Sequence, residues 1–188
     1  HDALPILKPW PFDPQEAEHL LAEAGFEDTD GDTILDRDGR PFTFTFIIPT
    51  QSDSIQRLGT IYQEELRAHG VDMQIKLLDW TSYIEKCRAH DFDMGAMSFQ
   101  MEWDNDLTGI FHSKSIDGGQ NFISWKHDGV DYILEQSRIT LDDDQRNALL
   151  RDLHAILHAE QPYTFAFSPL ESSLISRQFH GALPTIKW

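Results

Sequence analysis

The chain has 188 residues, 40% of them hydrophobic, enough for one domain or one large lobe with a substantial core. Its 32 acidic and 15 basic residues leave a formal net charge of −17. Such a surface repels nucleic acid and anionic membrane, and leaves cationic ligands and divalent metals as compatible partners. No run approaches the ~18 apolar residues that span a membrane. No basic-then-apolar signal segment opens the chain. Cys87 is the single cysteine, so neither an internal disulfide nor a zinc knuckle is available. The abrupt ends at His1 and Lys187-Trp188 are those expected of a fragment of a longer protein.

Pro5, Pro9, Pro11 and Pro14 keep the first residues extended. Asp13-Pro14 then starts a helix, with Asp as N-cap and Pro at the first position. Ala17, Leu20, Leu21 and Ala24 line one face, and Gly25 is a natural stop. The segment Asp28 to Gly39 follows, with Asp28, Asp30 and Asp32 at the first, third and fifth positions of a calcium-type loop. Ile34 falls where a backbone carbonyl serves as ligand, and Asp36 falls at the ninth position. Thr33 replaces the sixth-position glycine, and Gly39 stands where a bidentate Glu belongs. The two readings are a calcium site and a solvated acidic turn between a helix and a strand. Asp38 brings the aspartates to five within eleven residues, which repel one another unless screened.

Phe42 to Ile48 alternates as a strand that Pro49 ends. A helix from Ser52-Asp53-Ser54 to His69 carries Ile55, Leu58, Ile61, Tyr62 and Leu66 at helical spacing. Val71 to Leu78 alternates again, a short helix bears Tyr83, Ile84 and Cys87, and Phe92 to Met97 is a third strand. Strand, helix, strand, helix, strand predicts an α/β sheet with parallel neighbours. The stretch Ser98 to Trp125 then loses periodicity and mixes Phe99, Trp103, Phe111, Phe122 and Trp125 with Glu102, Asp104, Asp106 and Asp117. A loop of this kind after a strand is a common small-molecule site; the alternative is a surface loop whose aromatics pin it to the core. Val130 to Ser137 reads as a short helix, and Asp142-Asp143-Asp144 charges the start of a longer one that Pro162 ends. Tyr163 to Phe167 reads as a buried strand and Ser172 to Ile175 as another.

Catalytic patterns fail one by one. His154 and His158 have i, i+4 spacing, but Ala155 stands where H-E-x-x-H needs Glu, so they read as a solvated helix face. There is no G-x-S-x-G elbow and no phosphate loop. Cys87 sits among residues of a packed helix rather than in an electropositive setting.

Asp13-Pro14-Gln15-Glu16-Ala17-Glu18-His19-Leu20-Leu21-Ala22-Glu23-Ala24-Gly25-Phe26 resembles the D-P-x-x-A-x-x-L-L-x-E-A-G-aromatic segment of family 5 extracellular solute-binding proteins. These are the oligopeptide, dipeptide and nickel receptors of ABC importers. The acidic turn Asp28 to Gly39, Asn121 to Trp125, Val130 to Leu134, Asp143 to Arg146 and Pro162-Tyr163 resemble later family motifs in the same order. The resemblance implies an α/β, periplasmic-binding-protein type II-like lobe with a central mixed sheet flanked by helices. It implies that residues 1–188 are one carboxy-terminal lobe, with 1–12 and 177–188 as connections to an amino-terminal lobe of the same protein. It further implies no enzymatic activity, an extracytoplasmic location with or without a lipid anchor, delivery of a peptide or other small solute to an ABC permease, and no required cofactor; calcium at Asp28, Asp30, Asp32, Ile34 and Asp36 stays one of the two readings of the acidic turn. Peptide-binding members carry G-W-x-x-D where this chain has Ser98-Phe99-Gln100-Met101-Glu102, so Glu102 stands on the position that pairs with a peptide amino terminus. Trp103, Asp104 and Asp106 are neighbouring candidates, with Phe99, Trp103 and Trp125 as apolar contacts. Two other readings remain: a secreted metal-assisted hydrolase, and a stand-alone calcium-binding interaction domain.

Overall fold

A computed structural model describes residues 7–99 and 106–168, together with Ser176 and Gln178. The chain divides into two compact units, one of Lys8–Ser98 and one holding the described residues from Phe99 onward. Each is built differently.

In the first unit, helix α1 (Pro14–Glu23) begins where Asp13 accepts a 3.0 Å bond from the Glu16 amide. None of its residues is buried, so the apolar face expected at Leu20 and Leu21 is formed but largely open. The acidic turn is more than a turn. It closes as a hairpin of β1 (Asp36–Arg37) and β2 (Arg40–Pro41) around Asp38-Gly39, both at positive φ (55° and 70°). An Asp-Gly pair with both residues left-handed is the tight turn that matches strand twist.

The main sheet contains β3 (Thr43–Pro49), β4 (Asp72–Leu78) and β5 (Met94–Gly95), in the order β4-β3-β5. All its pairings are parallel, with Phe46 opposite Ile75 on one side and Met94 on the other. Helices α2 (Asp53–Ala68) and α3 (Trp80–Arg88) make the crossovers. The expected parallel neighbours are therefore present, and the antiparallel component sits in the separate β1-β2 ladder. On one sheet face Phe46, Ile48 and Met73 are buried, and the partly buried Ile55, Tyr62 and Leu66 of α2 pack against them with Ile75 and Met94. Each such fully buried side chain contributes roughly 1.5–3 kcal/mol by area removed from water. Gly59 lets α2 approach closely: a Cβ there would lie 2.8 Å from Ile48 Cδ1. In α3, Tyr83 and Cys87 are buried, and the Tyr83 hydroxyl donates to the Ala96 carbonyl at 2.6 Å.

The second unit is helical among its described residues. Within the stretch read as aperiodic lie α4 (Thr108–Phe111) and a single 3-10 turn (Ser113–Ser115). Helix α5 (Asp128–Ile139) is capped by His127, whose ring accepts from the Val130 amide at 3.2 Å. Helix α6 (Asp143–Glu160) starts at Asp142, which accepts from the Gln145 amide at 2.9 Å. Ile110, Phe111, Val130, Ile133, Leu134, Leu153 and Leu157 form one core. The buried strand expected at Tyr163 to Phe167 is not formed. Residues 164–168 belong to no strand, and Phe165 and Phe167 are 57% and 62% exposed. Alternating aromatics become a strand only where an edge offers backbone partners, and none pairs with them among the described residues. Ser172 to Ile175 lie outside the described residues.

Candidate functional site

The segment that follows β5 is the richest in aromatic and acidic side chains. Of its expected ligand contacts, Phe99, Asp106 and Trp125 are described, whereas Glu102, Trp103 and Asp104 lie outside the described residues. Phe99 and Trp125 belong to one aromatic chain. The Phe99 ring meets Tyr163 edge-on at 6.0 Å, Tyr163 meets Phe111 at 5.7 Å, and Phe111 meets Trp125 at 6.3 Å. Trp125 stacks on His127 at 5.7 Å. Two of the three expected apolar contacts, Phe99 and Trp125, are thus partly buried and held by the core of the second unit. Rings fixed this way lose little freedom on meeting a ligand.

Asp106 opens α4. Its Oδ1 accepts from the Thr108 amide at 2.9 Å, and Arg138 of α5 stands 3.6 Å away. Burial pushes its carboxyl up, but bonds from Thr108 and the charges of Arg138 and Lys114 outweigh this and hold it below 3.8. It is therefore ionised at neutral pH, with much of its charge already spoken for.

Two polar residues were given no role from sequence, yet they set this segment's shape. Asn121, 1% exposed, donates through Nδ2 to the carbonyls of His112 (3.2 Å) and Trp125 (2.8 Å) and accepts from the Trp125 amide at 3.2 Å. It thereby closes the loop that presents Trp125. Asp131 of α5 accepts from the Ser113 amide at 2.9 Å and from the Ser113 hydroxyl. The sequence signals for Asn121 are its place beside Gln120 after Gly118-Gly119 and its lead position in the Asn121 to Trp125 motif.

In the acidic turn, Asp28, Asp30 and Asp36 each place a carboxylate oxygen within 4.8 Å of the others. Asp32 lies outside that group and accepts from the Ile34 amide at 2.7 Å. Asp28 takes the amides of Gly31 (2.7 Å) and Thr33 (3.0 Å), and Asp36 takes the Thr29 hydroxyl at 2.6 Å. Thr33 adopts φ +76°, the left-handed conformation that the usual sixth-position glycine supplies.

A concavity of about 360 Å³ lies in the first unit on the α3 side of the sheet. Its charges are largely matched from within: Lys86 Nζ lies 2.5 Å from Asp91, and Asp93 accepts from the Thr45 amide at 2.9 Å. Burial pushes the Cys87 thiol up, away from the reactive thiolate form. His154 and His158 are half-buried rather than fully solvated as expected, and His154 Nδ1 is enclosed.

A βαβαβ parallel sheet joined to a helical unit with an aromatic-lined segment is the fold of type II periplasmic-binding-protein lobes. The structure superposes on AppA, the oligopeptide-binding protein of Bacillus subtilis solved with a nonapeptide, with a TM-score of 0.78 at 27% identity, covering 85% of this chain and 32% of that one. On NikA from Brucella suis, solved with Fe(III)-EDTA, the TM-score is 0.68 at 25% identity, covering 85% and 34%. In sequence, AppA of Bacillus subtilis strain 168 is 29% identical over 172 residues, 90% of this chain and 32% of AppA. Di/tripeptide-binding protein 2 of Pseudomonas aeruginosa strain UCBPP-PA14 is 27% identical over 168 residues, 87% of this chain and 30% of that protein. The profile of bacterial extracellular solute-binding proteins, family 5 Middle, matches residues 2–120, and the chain belongs to that family. It spans about a third of the length of these curated relatives. No helix among the described residues is long and apolar enough to cross a membrane.

Proposed function

We propose that this chain is the carboxy-terminal lobe of the substrate-binding component of an ABC importer. Together with an amino-terminal lobe of the same protein it captures a peptide or another small solute and delivers it to a membrane permease. The observation that carries this reading is the superposition on peptide-bound AppA over 85% of the chain. The parent protein works outside the cytoplasm, free or lipid-anchored, and catalyses no reaction. Residues 1–12 and 177–188 connect the two lobes.

Phe99, Trp103 and Trp125 supply apolar contact to the cargo, and Glu102 supplies the charge that meets a cationic group on it, with Asp104 and Asp106 beside it. Closure of two lobes buries such a carboxylate, and removing one partner of a buried pair costs roughly 3–5 kcal/mol. The decisive experiment is ligand-induced thermal stabilisation of the full-length receptor against a peptide library. A bound peptide at about 100 times its Kd adds ~2.7 kcal/mol of stability. Failure across peptides, sugars and metal chelates overturns the reading. Glu102→Gln in that receptor is expected to weaken an amine-bearing ligand by about tenfold or more, and unchanged affinity rejects Glu102 as the anchor.

A second, separate role falls to the acidic turn. The convergence of Asp28, Asp30 and Asp36 favours a weak calcium site there, completed by Asp32 and the Ile34 carbonyl. Gly39 in place of the bidentate Glu predicts affinity at the weak, extracellular end of about 10⁻⁴–10⁻³ M. Calorimetric titration with millimolar calcium tests it; no heat removes the site.

A further inference from the structure

His112 is a buried imidazole placed between two hydrogen-bonding arrangements. Its side chain is 6% exposed, and it sits at the junction of α4, the 3-10 turn and α5. Nδ1 accepts from the Lys114 backbone amide at 3.1 Å and so caps the 3-10 turn. The same nitrogen lies 3.3 Å from Asp131 Oδ1, and Nε2 lies 3.3 Å from Glu135 Oε1. Accepting at Nδ1 requires the neutral ring to carry its proton on Nε2, which then donates to Glu135. In this state Asp131 Oδ1 faces a lone pair, and bonds from Ser113 hold the carboxylate there. Among the described residues, the charged groups facing the ring are Asp131 and Glu135 from α5 and Lys114 from the turn; Lys114 Nζ itself sits 3.4 Å from Glu135. Two carboxylates therefore stand against one ammonium around a neutral ring.

We propose that His112 is a proton-operated latch. Uptake of a proton at Nδ1 ends its bond with the Lys114 amide and makes a new one to Asp131, joining the 3-10 turn to α5 through both ring nitrogens. The balance is simple: one proton from solvent forms the Nδ1–H bond, the ring becomes a cation, and no other covalent bond changes. Imidazole is the side chain whose ordinary titration lies between pH 5 and 8, the range an extracytoplasmic protein meets. The consequence reaches the aromatic segment, because the His112 carbonyl accepts from Asn121 Nδ2 and Asn121 in turn holds Trp125.

The test is nitrogen-detected NMR of the ¹⁵N-labelled 188-residue chain between pH 8 and pH 5. At pH 8, His112 is expected to show a protonated Nε2 and an unprotonated, hydrogen-bonded Nδ1. On acidification both nitrogens become protonated, and the Lys114 amide, freed from its acceptor, exchanges with solvent about tenfold faster beyond the intrinsic pH dependence. His112→Asn retains an acceptor for the Lys114 amide but takes up no proton, so in it the Lys114 response disappears. A wild-type ring that stays neutral down to the onset of acid unfolding overturns the proposal. So does a Lys114 amide that ignores ring protonation, or one that responds equally in His112→Asn.

Discussion

Asn121 and Gly59 owe their roles to what surrounds them rather than to what they are. Asn121→Ala removes two donated bonds and one accepted bond from a site only 1% exposed, and leaves the Trp125 amide and two carbonyls short of partners. Each unsatisfied buried group costs about 1–3 kcal/mol. A loss of about 3 kcal/mol in chemical denaturation is expected, with Asn121→Asp at least as costly because its buried carboxylate would face two carbonyl oxygens. At Gly59 two effects compete. Alanine is the better helix former by up to about 1 kcal/mol, but its Cβ would stand 2.8 Å from Ile48 Cδ1 and 3.3 Å from Phe46 Cε1. Ile48 and Phe46 are 0% and 1% exposed and have nowhere to move. Overpacking of about 1–3 kcal/mol therefore wins, and Gly59→Ala is expected to lower stability by about 1 kcal/mol, Gly59→Val by more. From sequence, Gly59 is merely a weak point in a helical stripe; only the packed sheet reveals its use. Glu102, the charge anchor proposed from sequence, rests on one motif position and lies outside the described residues.

At the scale of elements, periodicity carried most of the information. β3, α2, β4 and α3 fall where alternation and helical spacing place them, because each buries one face against the next. Caps were legible in part: Asp13 bonds the amide expected of an N-cap, Asp142, read only as charge at a helix start, bonds the Gln145 amide, and Ser52 makes no side-chain cap bond. Asp142→Ala is expected to destabilise the second unit by about 1 kcal/mol, as N-cap loss generally does, visible as loss of protection in the first turn of α6. Tertiary pairing was not legible. The Asp38-Gly39 hairpin carries its own turn signal but hid inside a run read as either a calcium loop or an acidic turn, and 163–167 finds no strand partner among the described residues. The α5 contact with the 3-10 turn adds a pH dependence. Bonds from His112 and then Lys114 hold the Glu135 carboxyl below its ordinary 4.5. A folded-state value below the unfolded one means the stabilisation is present above pH 4.5 and lost as pH falls through the folded value. The wild-type unfolding midpoint should thus fall more steeply below pH 4.5 than that of Glu135→Gln; parallel curves would remove Glu135 from the account.

For the whole molecule, charge is the property that sequence states outright and that packing modifies least. A net −17 opposes the compact state through self-repulsion, and the five aspartates from Asp28 to Asp38 concentrate it at one turn. Two remedies are physically distinct. Monovalent salt shortens the screening length to about 10 Å at 0.1 M and acts on every exposed charge. A coordinated calcium ion acts only where carboxylates converge, at Asp28, Asp30 and Asp36. Raising sodium chloride from low concentration to about 0.15 M should therefore raise the melting temperature by roughly 2–4 °C, the equivalent of about 1 kcal/mol at this chain length. In that salt, millimolar calcium should add a further rise that equimolar magnesium does not match, since magnesium demands tighter octahedral geometry and sheds its water reluctantly. Replacing Asp28 and Asp30 together by Asn should abolish the calcium increment. The salt response should remain, since only two of the 32 acids are gone. Equal responses to calcium and magnesium, surviving that double substitution, would make the turn a screened acidic surface. The hairpin behind it would then rest on its own Asx bonds and the Asp-Gly turn.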